Sequence, residues 1–469
     1  MEKICTQLTN TYNTNILNKN KEIGEEFMKI ATEHKNSGKG KNVLMNLIYN
    51  HFSSDVQKPQ PKYIGSPMNL TVHWSEKHEK IIYIFGEHHS DKIDCFKFGK
   101  KNTKMDDVPG SKIMSIQYFL KELSRTTDCF IDFLFEFPAT EIKSKGYHED
   151  FDPYAGDKKN FALSKLFDNF KECINYITRS DKKCRLARIH YFDSRYNDKD
   201  SYLKGSNIIN YFKVEIQNIR KIIDTNKDEY SFANLVKKLL KENLDFIKML
   251  EHLGDSDDNI ILQFLISQTK ENTYAEKEIR RFDHNNSVRI AIEEFIADEN
   301  KKFMDENKLL WRKNTETVLK FISEGEHIPT SQEFEKSFNS INNSLISVNS
   351  LVADVYLLCR LFKNFDLTQM EEKGYVGATD QPAKATNIII YTGNEHADTY
   401  RLFLENKLDF KQIAETGLKK RDYKDPNSYM HCINMKTIPQ PFFNSWPPVP
   451  YIDNKPTYPG ILKFSHLLR

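Results

Sequence analysis

An apolar run that stops at a glycine and leads into titratable residues occurs twice in this chain. The first copy, I-I-Y-I-F-G-E-H-H-S, spans 81–90 and breaks at Gly86. The second copy, N-I-I-I-Y-T-G-N-E-H, spans 387–396 and breaks at Gly393. A short continuous apolar run bounded by a turn residue indicates a buried strand. The chain must therefore accommodate two buried strands, distant in sequence, that each end in a G-x-x-H motif.

Two further apolar runs predict strands of the same sheet. Residues 129–137 read C-F-I-D-F-L-F-E-F before Pro138, and residues 186–192 read L-A-R-I-H-Y-F. Helix or loop segments separate the runs, and that alternation predicts βα units. We therefore predict an α/β fold with a mostly parallel central sheet flanked by helices. Ligands of such sheets bind in the crevice at the carboxyl ends of the strands.

Hydrophobic spacing and proline content divide the rest of the chain. The stretch 201–375 is charged and carries apolar residues at spacings of three and four, which predicts a large all-helical insertion. The proline-rich tail predicts an extended segment wrapped over the same molecule, or a polyproline ligand for a protein partner. The predicted domains are a helical lead-in (1–68), the two parts of the α/β domain (69–200 and 376–438), the helical insertion (201–375) and the C-terminal tail (439–469).

Composition disfavours some classes of partner. The 68 Lys and Arg residues nearly balance the 66 Asp and Glu residues, so no excess of positive charge favours nucleic acid. No run of about eighteen apolar residues and no signal-peptide pattern is present, which predicts a soluble, cytoplasmic protein without membrane insertion. The seven cysteines are scattered without a C-x-x-C spacing, so we expect reduced thiols.

Titratable residues at the strand ends form the candidate site. A divalent metal held by His89, Glu136 and His396 would lower the pKa of bound water and generate a hydroxide nucleophile. Glu87 or Glu395 would then transfer protons. The full set of candidate catalytic residues is Glu87, His88, His89, Glu136, Arg188, Asp193, Arg195, Glu395 and His396.

A metal-free mechanism uses the same residues. His88 or His89 would act as the general base on water, with Glu136 orienting it. Arg188 or Arg195 would stabilise the oxyanion. A structural interpretation stands beside both mechanisms, in which the glycines are turn residues and Glu136 is a buried acid paired with Arg188.

The two G-x-x-H motifs and the strand-end glutamate resemble the Tiki/TraB superfamily, whose relatives include erythromycin esterases and ChaN-like haem-uptake proteins. The resemblance covers about 69–200 and 380–410. It implies divalent-metal-dependent proteolysis at His89, Glu136 and His396, or an esterase base at His89 beside Glu87. The Y-F-D-S-R segment at 191–195 resembles the strand-end aspartate region of those esterases, with Tyr191 or Phe192 replacing a glycine.

Three hypotheses about function follow from these residues and this resemblance. The first is a hydrolase that cleaves an ester or amide bond of a small-molecule or peptide substrate with activated water. The second is a non-catalytic protein that binds haem or another metal-containing ligand on the same scaffold. The third is a viral structural or interaction protein, including a virion component, that keeps a degenerate site and acts through its helical part and its tail.

Overall fold

The computed structural model describes residues 59–88, 112–127, 130–138, 162–174, 187–193, 244–270, 274–323, 331–365, 382–417, 431–440 and 442–443. The chain divides into two units. One unit comprises residues 1–136, 143–190 and 364–469, and the other comprises 137–142 and 191–363. Each unit buries its own apolar side chains.

The described strands and helices follow the predicted alternation. The strands are β1 (Tyr63–Gly65), β2 (Asn69–Ser75), β3 (Lys80–Glu87), β4 (Ile113–Ser115), β5 (Ile131–Pro138), β6 (Ala187–Asp193), β7 (Asn387–Gly393), β8 (Lys411–Gly417) and β9 (Cys432–Asn434). The helices are α1 (Ile116–Thr126), α2 (Ala162–Ile174), α3 (Leu244–Gly254), α4 (Asp258–Lys270), α5 (Tyr274–Ile279), α6 (Ser287–Ser323), α7 (Ser331–Phe362) and α8 (Asn394–Leu408), with a 3-10 turn at Met435–Thr437.

A six-stranded sheet with the order β6-β5-β7-β3-β2-β8 forms the centre of the first unit. Strand β7 pairs in parallel with β3 on one side and with β5 on the other. Strand β2 pairs antiparallel with both β3 and β8. A small three-stranded sheet has the order β4-β1-β9. The predicted α/β class with a mostly parallel central sheet is confirmed.

Helices cover both faces of the large sheet. Phe133 and Phe135 of β5 pack against Phe170 of α2. Phe85 of β3 lies on the same face, where Phe442 packs between it and α1. Helix α8 packs on β3 and β7. Because successive side chains of a strand alternate between faces, Gly86 and Glu136 belong to the α8 face.

Helices α3 to α7 form the core of the second unit. The long helices α6 and α7 pack along each other, and the buried Trp311 of α6 donates a hydrogen bond from Nε1 to Ser344 Oγ at 2.5 Å. Among the described segments, one stretch of α7, Asn339–Phe362, is long and apolar enough to cross a membrane, and 69% of its apolar window is buried. Such burial is typical of the core helix of a soluble protein.

Several local sequence patterns differ from the structure. The apolar spacing after Ser111 predicts a helix capped by that residue, but helix α1 begins after Ser115, whose side chain accepts a hydrogen bond from the Tyr118 N–H. The segment 69–74 predicts a partly exposed strand, but β2 is almost wholly buried, with β3 and β8 paired on its two sides. Strand β8 was not predicted, since K-Q-I-A-E-T-G is too polar to stand out.

Two further predictions concern the cysteines and the ends of the chain. Cys432 is disulfide-bonded, so the expectation of seven reduced thiols is wrong at that position, while Cys359 is free and buried. Phe442 and Phe443 are buried against Tyr83, which places the start of the proline-rich tail on the body of its own molecule. The lead-in before residue 59 and the tail after residue 443 lie outside the described residues.

Candidate active site

The two G-x-x-H motifs lie side by side at one edge of the sheet. In the β3–β7 ladder Gly86 is opposite Thr392, and Glu87 is opposite Gly393. A Cβ atom on Gly86 would lie 2.5 Å from Asn394 Oδ1, so the side chain of the second motif packs directly on the backbone of the first. Parallel pairing of two buried strands therefore brings together segments that are about three hundred residues apart.

Glu136 is held rigidly at this edge. It lies at the end of β5, and only 6% of its surface is exposed. Its Oε2 atom accepts hydrogen bonds from Thr392 Oγ1 at 2.9 Å and from the Gly393 N–H at 2.7 Å. Two donors on one carboxylate oxygen fix the orientation of the carboxylate. The other oxygen, Oε1, is thereby directed toward His396.

His396 faces that second oxygen from the first turn of α8. Its Nε2 atom lies 3.6 Å from Glu136 Oε1, and 11% of its side chain is exposed. The Tyr400 ring stacks beside the imidazole. The 3.6 Å distance is longer than a direct hydrogen bond but short enough for one water molecule to contact both atoms at about 2.8 Å. The pair can therefore hold a water molecule between a base and a carboxylate.

Glu87 does not join this pair. Its carboxylate accepts a short hydrogen bond from the Tyr391 hydroxyl, and both side chains are buried. Residues paired in a parallel ladder share a face, so Glu87 lies on the face of Phe85 and Tyr391, while Glu136 lies on the α8 face. Burial and the neighbouring Glu87 raise the pKa of Tyr391 well above its ordinary value, which keeps the hydroxyl protonated.

The other residues predicted at the two tips have different positions. His88 is exposed, and its ring lies edge-on to His431. Glu395 is exposed on α8. His89 and Arg195 lie outside the described residues. Asp193 is buried at the end of β6.

Arg188 lies near the amino-terminal ends of the strands, away from Glu136, which corrects its predicted role as an oxyanion stabiliser. It forms a two-pronged ion pair with Asp132 near the start of β5, at 2.5 and 3.0 Å, and lies over the Phe365 ring. His190 donates to the same carboxylate at 2.8 Å. Asp132 precedes Glu136 by four residues, about 13 Å along a strand. Arg188 therefore neither stabilises an oxyanion beside Glu136 nor pairs with Glu136.

Two ionisable side chains of this second cluster have strongly shifted pKa values. Burial alone would raise the pKa of Asp132, but Arg188 and His190 outweigh burial and hold that pKa well below its ordinary value. Burial lowers the pKa of Lys80 to about 8, and its ammonium group donates to the Ala385 carbonyl oxygen. This cluster at the amino ends of the strands is a structural network of buried charges.

The distance between Glu136 and His396 can be compared with the separation expected of two ligands of one metal ion. Ligand bonds of about 2.1 Å in tetrahedral geometry place two ligand atoms roughly 3.4 Å apart. The observed 3.6 Å between Glu136 Oε1 and His396 Nε2 is close to that separation. Within the part of the chain that the structure describes, no group of three His, Cys, Asp or Glu residues can hold an ion. The predicted third ligand, His89, lies outside that part.

Four residues of this site escaped the sequence reasoning. Tyr391, Thr392 and Asn394 contact the site carboxylates or Gly86, and Asn69 reaches Asn394 from β2. Alternation along β7 could have assigned Tyr391 and Thr392 to opposite faces, next to the two carboxylates. Nothing near Asn69 in the sequence marks it, because its role depends on antiparallel pairing with β3.

Comparison with known proteins finds a viral relative. No family model and no solved structure matches this chain. The chain is similar to an uncharacterized protein of Acanthamoeba polyphaga mimivirus, with 21% identity over 451 residues that cover 82% of this chain and 98% of the relative. A viral relative agrees with the expectation of a viral protein. It carries no information about activity.

Proposed function

We propose that the protein is a hydrolase that cleaves an ester or amide bond with water activated by Glu136 and His396. The observation that carries the proposal is the placement of one fixed carboxylate oxygen 3.6 Å from an imidazole nitrogen at the carboxyl ends of parallel strands. This edge is where ligands of such sheets bind. A carboxylate and an imidazole close together at that edge are suited to acid-base chemistry.

The chain's own residues would carry the proton transfers. A water molecule between Oε1 and Nε2 gives one proton to the pair as its oxygen attacks the substrate carbonyl carbon. His396 accepts that proton as general base, and Glu136 stabilises the resulting imidazolium. The same proton then passes to the leaving oxygen or nitrogen as the bond to carbon breaks. Thr392 and the Gly393 N–H keep Glu136 in place throughout.

A divalent ion would occupy the same position. Glu136 Oε1 and His396 Nε2 would be two of its ligands, and the predicted third ligand is His89. A bound ion would supply a Lewis acid that lowers the pKa of water. Activity that resists a chelator supports the metal-free mechanism, whereas activity that is lost with the chelator and restored by zinc or manganese assigns the ion.

The proposal is tested by a hydrolysis screen with p-nitrophenyl esters, anilides and a peptide mixture. We expect Glu136→Gln and His396→Ala each to lose roughly 100-fold or more in kcat/KM, because each removes part of the acid-base pair. Matched controls are the exposed residues Glu415 and His284, as Glu415→Gln and His284→Ala. Full activity in both site variants would contradict the proposal.

A further inference from the structure

A chain of hydrogen bonds fixes how the Asn394 side chain is turned. Arg401 donates from Nη1 to Asp398 Oδ1 at 2.6 Å and from Nη2 to Asn69 Oδ1. A guanidinium group has no acceptor, so Asn69 must direct its oxygen to Arg401 and its amide nitrogen to Asn394. That nitrogen donates to Asn394 Oδ1 at 2.5 Å. The Asn394 Nδ2 atom is therefore turned away from Asn69.

Asn394 Nδ2 is left as a buried donor. Only 7% of Asn394 is exposed, and within the described part of the chain its Nδ2 atom has no hydrogen-bond partner. Buried polar groups in native proteins are almost always paired, so each exception needs an explanation. Asn69 and Arg401 hold this amide in place, and Gly86 packs against its oxygen. The network presents the donor group in one orientation.

The start of α8 supplies more donors at the same place. Gly393 precedes the helix and makes no side-chain capping bond. The first N–H groups of a helix have no partner within it, and the helix dipole makes this end positive. Asn394 is the first residue of α8, and His396 is two residues further on. The positive end of the α8 dipole and the Asn394 amide donor therefore lie beside the Glu136–His396 pair.

We propose that Asn394 Nδ2, together with the first-turn N–H groups of α8, binds the carbonyl oxygen of the ester or amide substrate. The inference rests on the proposed function. When the water oxygen adds to the carbonyl carbon, the C=O electron pair moves to oxygen, and this oxyanion accepts hydrogen bonds from these donors. The pair returns when the leaving group departs with its proton. Asn394 is a catalytic residue in this scheme, and Asn69 and Arg401 are positioning residues.

Asn394→Asp tests the donor directly. The substitution keeps the oxygen that accepts from Asn69 but replaces the NH₂ group with a second oxygen. We expect kcat to fall roughly 100-fold, with KM changed less than about threefold, as for the loss of one oxyanion donor. Asn285→Asp, at an exposed position of the helical unit, is the control. An unchanged kcat in Asn394→Asp would overturn the inference.

Asn69→Asp tests the orientation while Asn394 remains. The carboxylate introduced at this position would still accept from Arg401 but would no longer donate, so the Asn394 amide would turn and give its NH₂ group to that carboxylate. We expect kcat to fall at least about tenfold, again with KM nearly unchanged. The retained Arg401 pair is expected to keep the protein folded, which thermal unfolding checks. Wild-type kcat in this variant would also count against the inference.

A binding measurement separates this inference from the proposed function. Methylphosphonate mimics the charged tetrahedral oxygen, and titration calorimetry should show at least about tenfold weaker binding to Asn394→Asp than to the wild type. If Glu136→Gln and His396→Ala lose activity while Asn394→Asp keeps both turnover and methylphosphonate binding, only the inference fails. If the two site variants keep activity, the proposed function fails, and methylphosphonate binding alone decides whether the donors form an anion site.

Discussion

Gly86 and Asn394 are in direct contact, and a methyl group on Gly86 would lie 2.5 Å from Asn394 Oδ1 and 2.6 Å from Asn69 Oδ1. This contact explains why a glycine ends the first apolar run. The two G-x-x-H motifs are thereby joined through backbone pairing and through one side chain. A glycine that sequence reasoning treats as a turn residue has a packing role here.

Gly86→Ala should destabilise the protein. The new methyl group meets two amide oxygens that the Arg401 network holds in place, and such overpacking costs about 1–3 kcal/mol. Urea unfolding measures the change in the free energy of unfolding. The double variant Gly86→Ala/Asn394→Ala should recover part of the loss, because it removes the nearer oxygen. A loss that is the same with or without Asn394 would refute the contact.

The buried ion pair at the other edge predicts a pH-dependent stability. The folded pKa of Asp132 lies below its ordinary value of 3.8, so its ion pair stabilises the protein at neutral pH, and this contribution is lost as the pH falls below about 4. Asp132→Asn should lower the free energy of unfolding by about 3 kcal/mol at pH 7 because Arg188 is left buried without its partner. The difference from the wild type should shrink toward a pH of about 3. A difference that does not depend on pH would contradict this account.

Lys80 predicts a second rise of stability with pH, at alkaline pH. Its folded pKa of about 8 lies below its ordinary value of 10.5, so between these values the unfolded chain binds more protons than the folded protein. Stability therefore rises with pH across this window, by up to about 3 kcal/mol from this group. Lys80→Met should remove that rise, as measured by urea unfolding from about pH 7.5 to about pH 10. An identical rise in Lys80→Met would show that another group causes it.

Glu87 and Glu136 should differ sharply in their effect on turnover. The two carboxylates lie on opposite faces of the sheet, and Glu87 is bonded to Tyr391. We expect Glu87→Gln to change kcat/KM less than about threefold, against a loss of roughly 100-fold or more in Glu136→Gln. Steady-state kinetics on one ester substrate provides the comparison. Equal losses in the two variants would show that Glu87 also takes part in the chemistry.

The sequence predicted β3, β5, β6 and β7 and their ends because four apolar runs, each with a polar end, are strong local signals. It could not predict which partner each polar side chain would find. Asp132 and Glu136 lie four residues apart on one face of β5, so either could pair with Arg188. The alignment of β6 beside β5 decides for Asp132, and such alignment depends on the whole sheet.

The hydrogen-bond donors to Glu136 could not be predicted from the sequence either. Thr392 and Gly393 are 256 and 257 residues away, and they reach Glu136 only because β7 lies between β3 and β5. The fold class could be derived from local patterns. The strand order, and with it the composition of the site, could not.

The central claim is that Glu136 and His396 act as one unit, and a double-mutant cycle in kcat/KM tests it most directly. We predict that Glu136→Gln/His396→Ala is no slower than the slower of the two single variants, because residues that act together have non-additive effects. Losses that multiply in the double variant would contradict a shared role. So would single variants that retain wild-type activity.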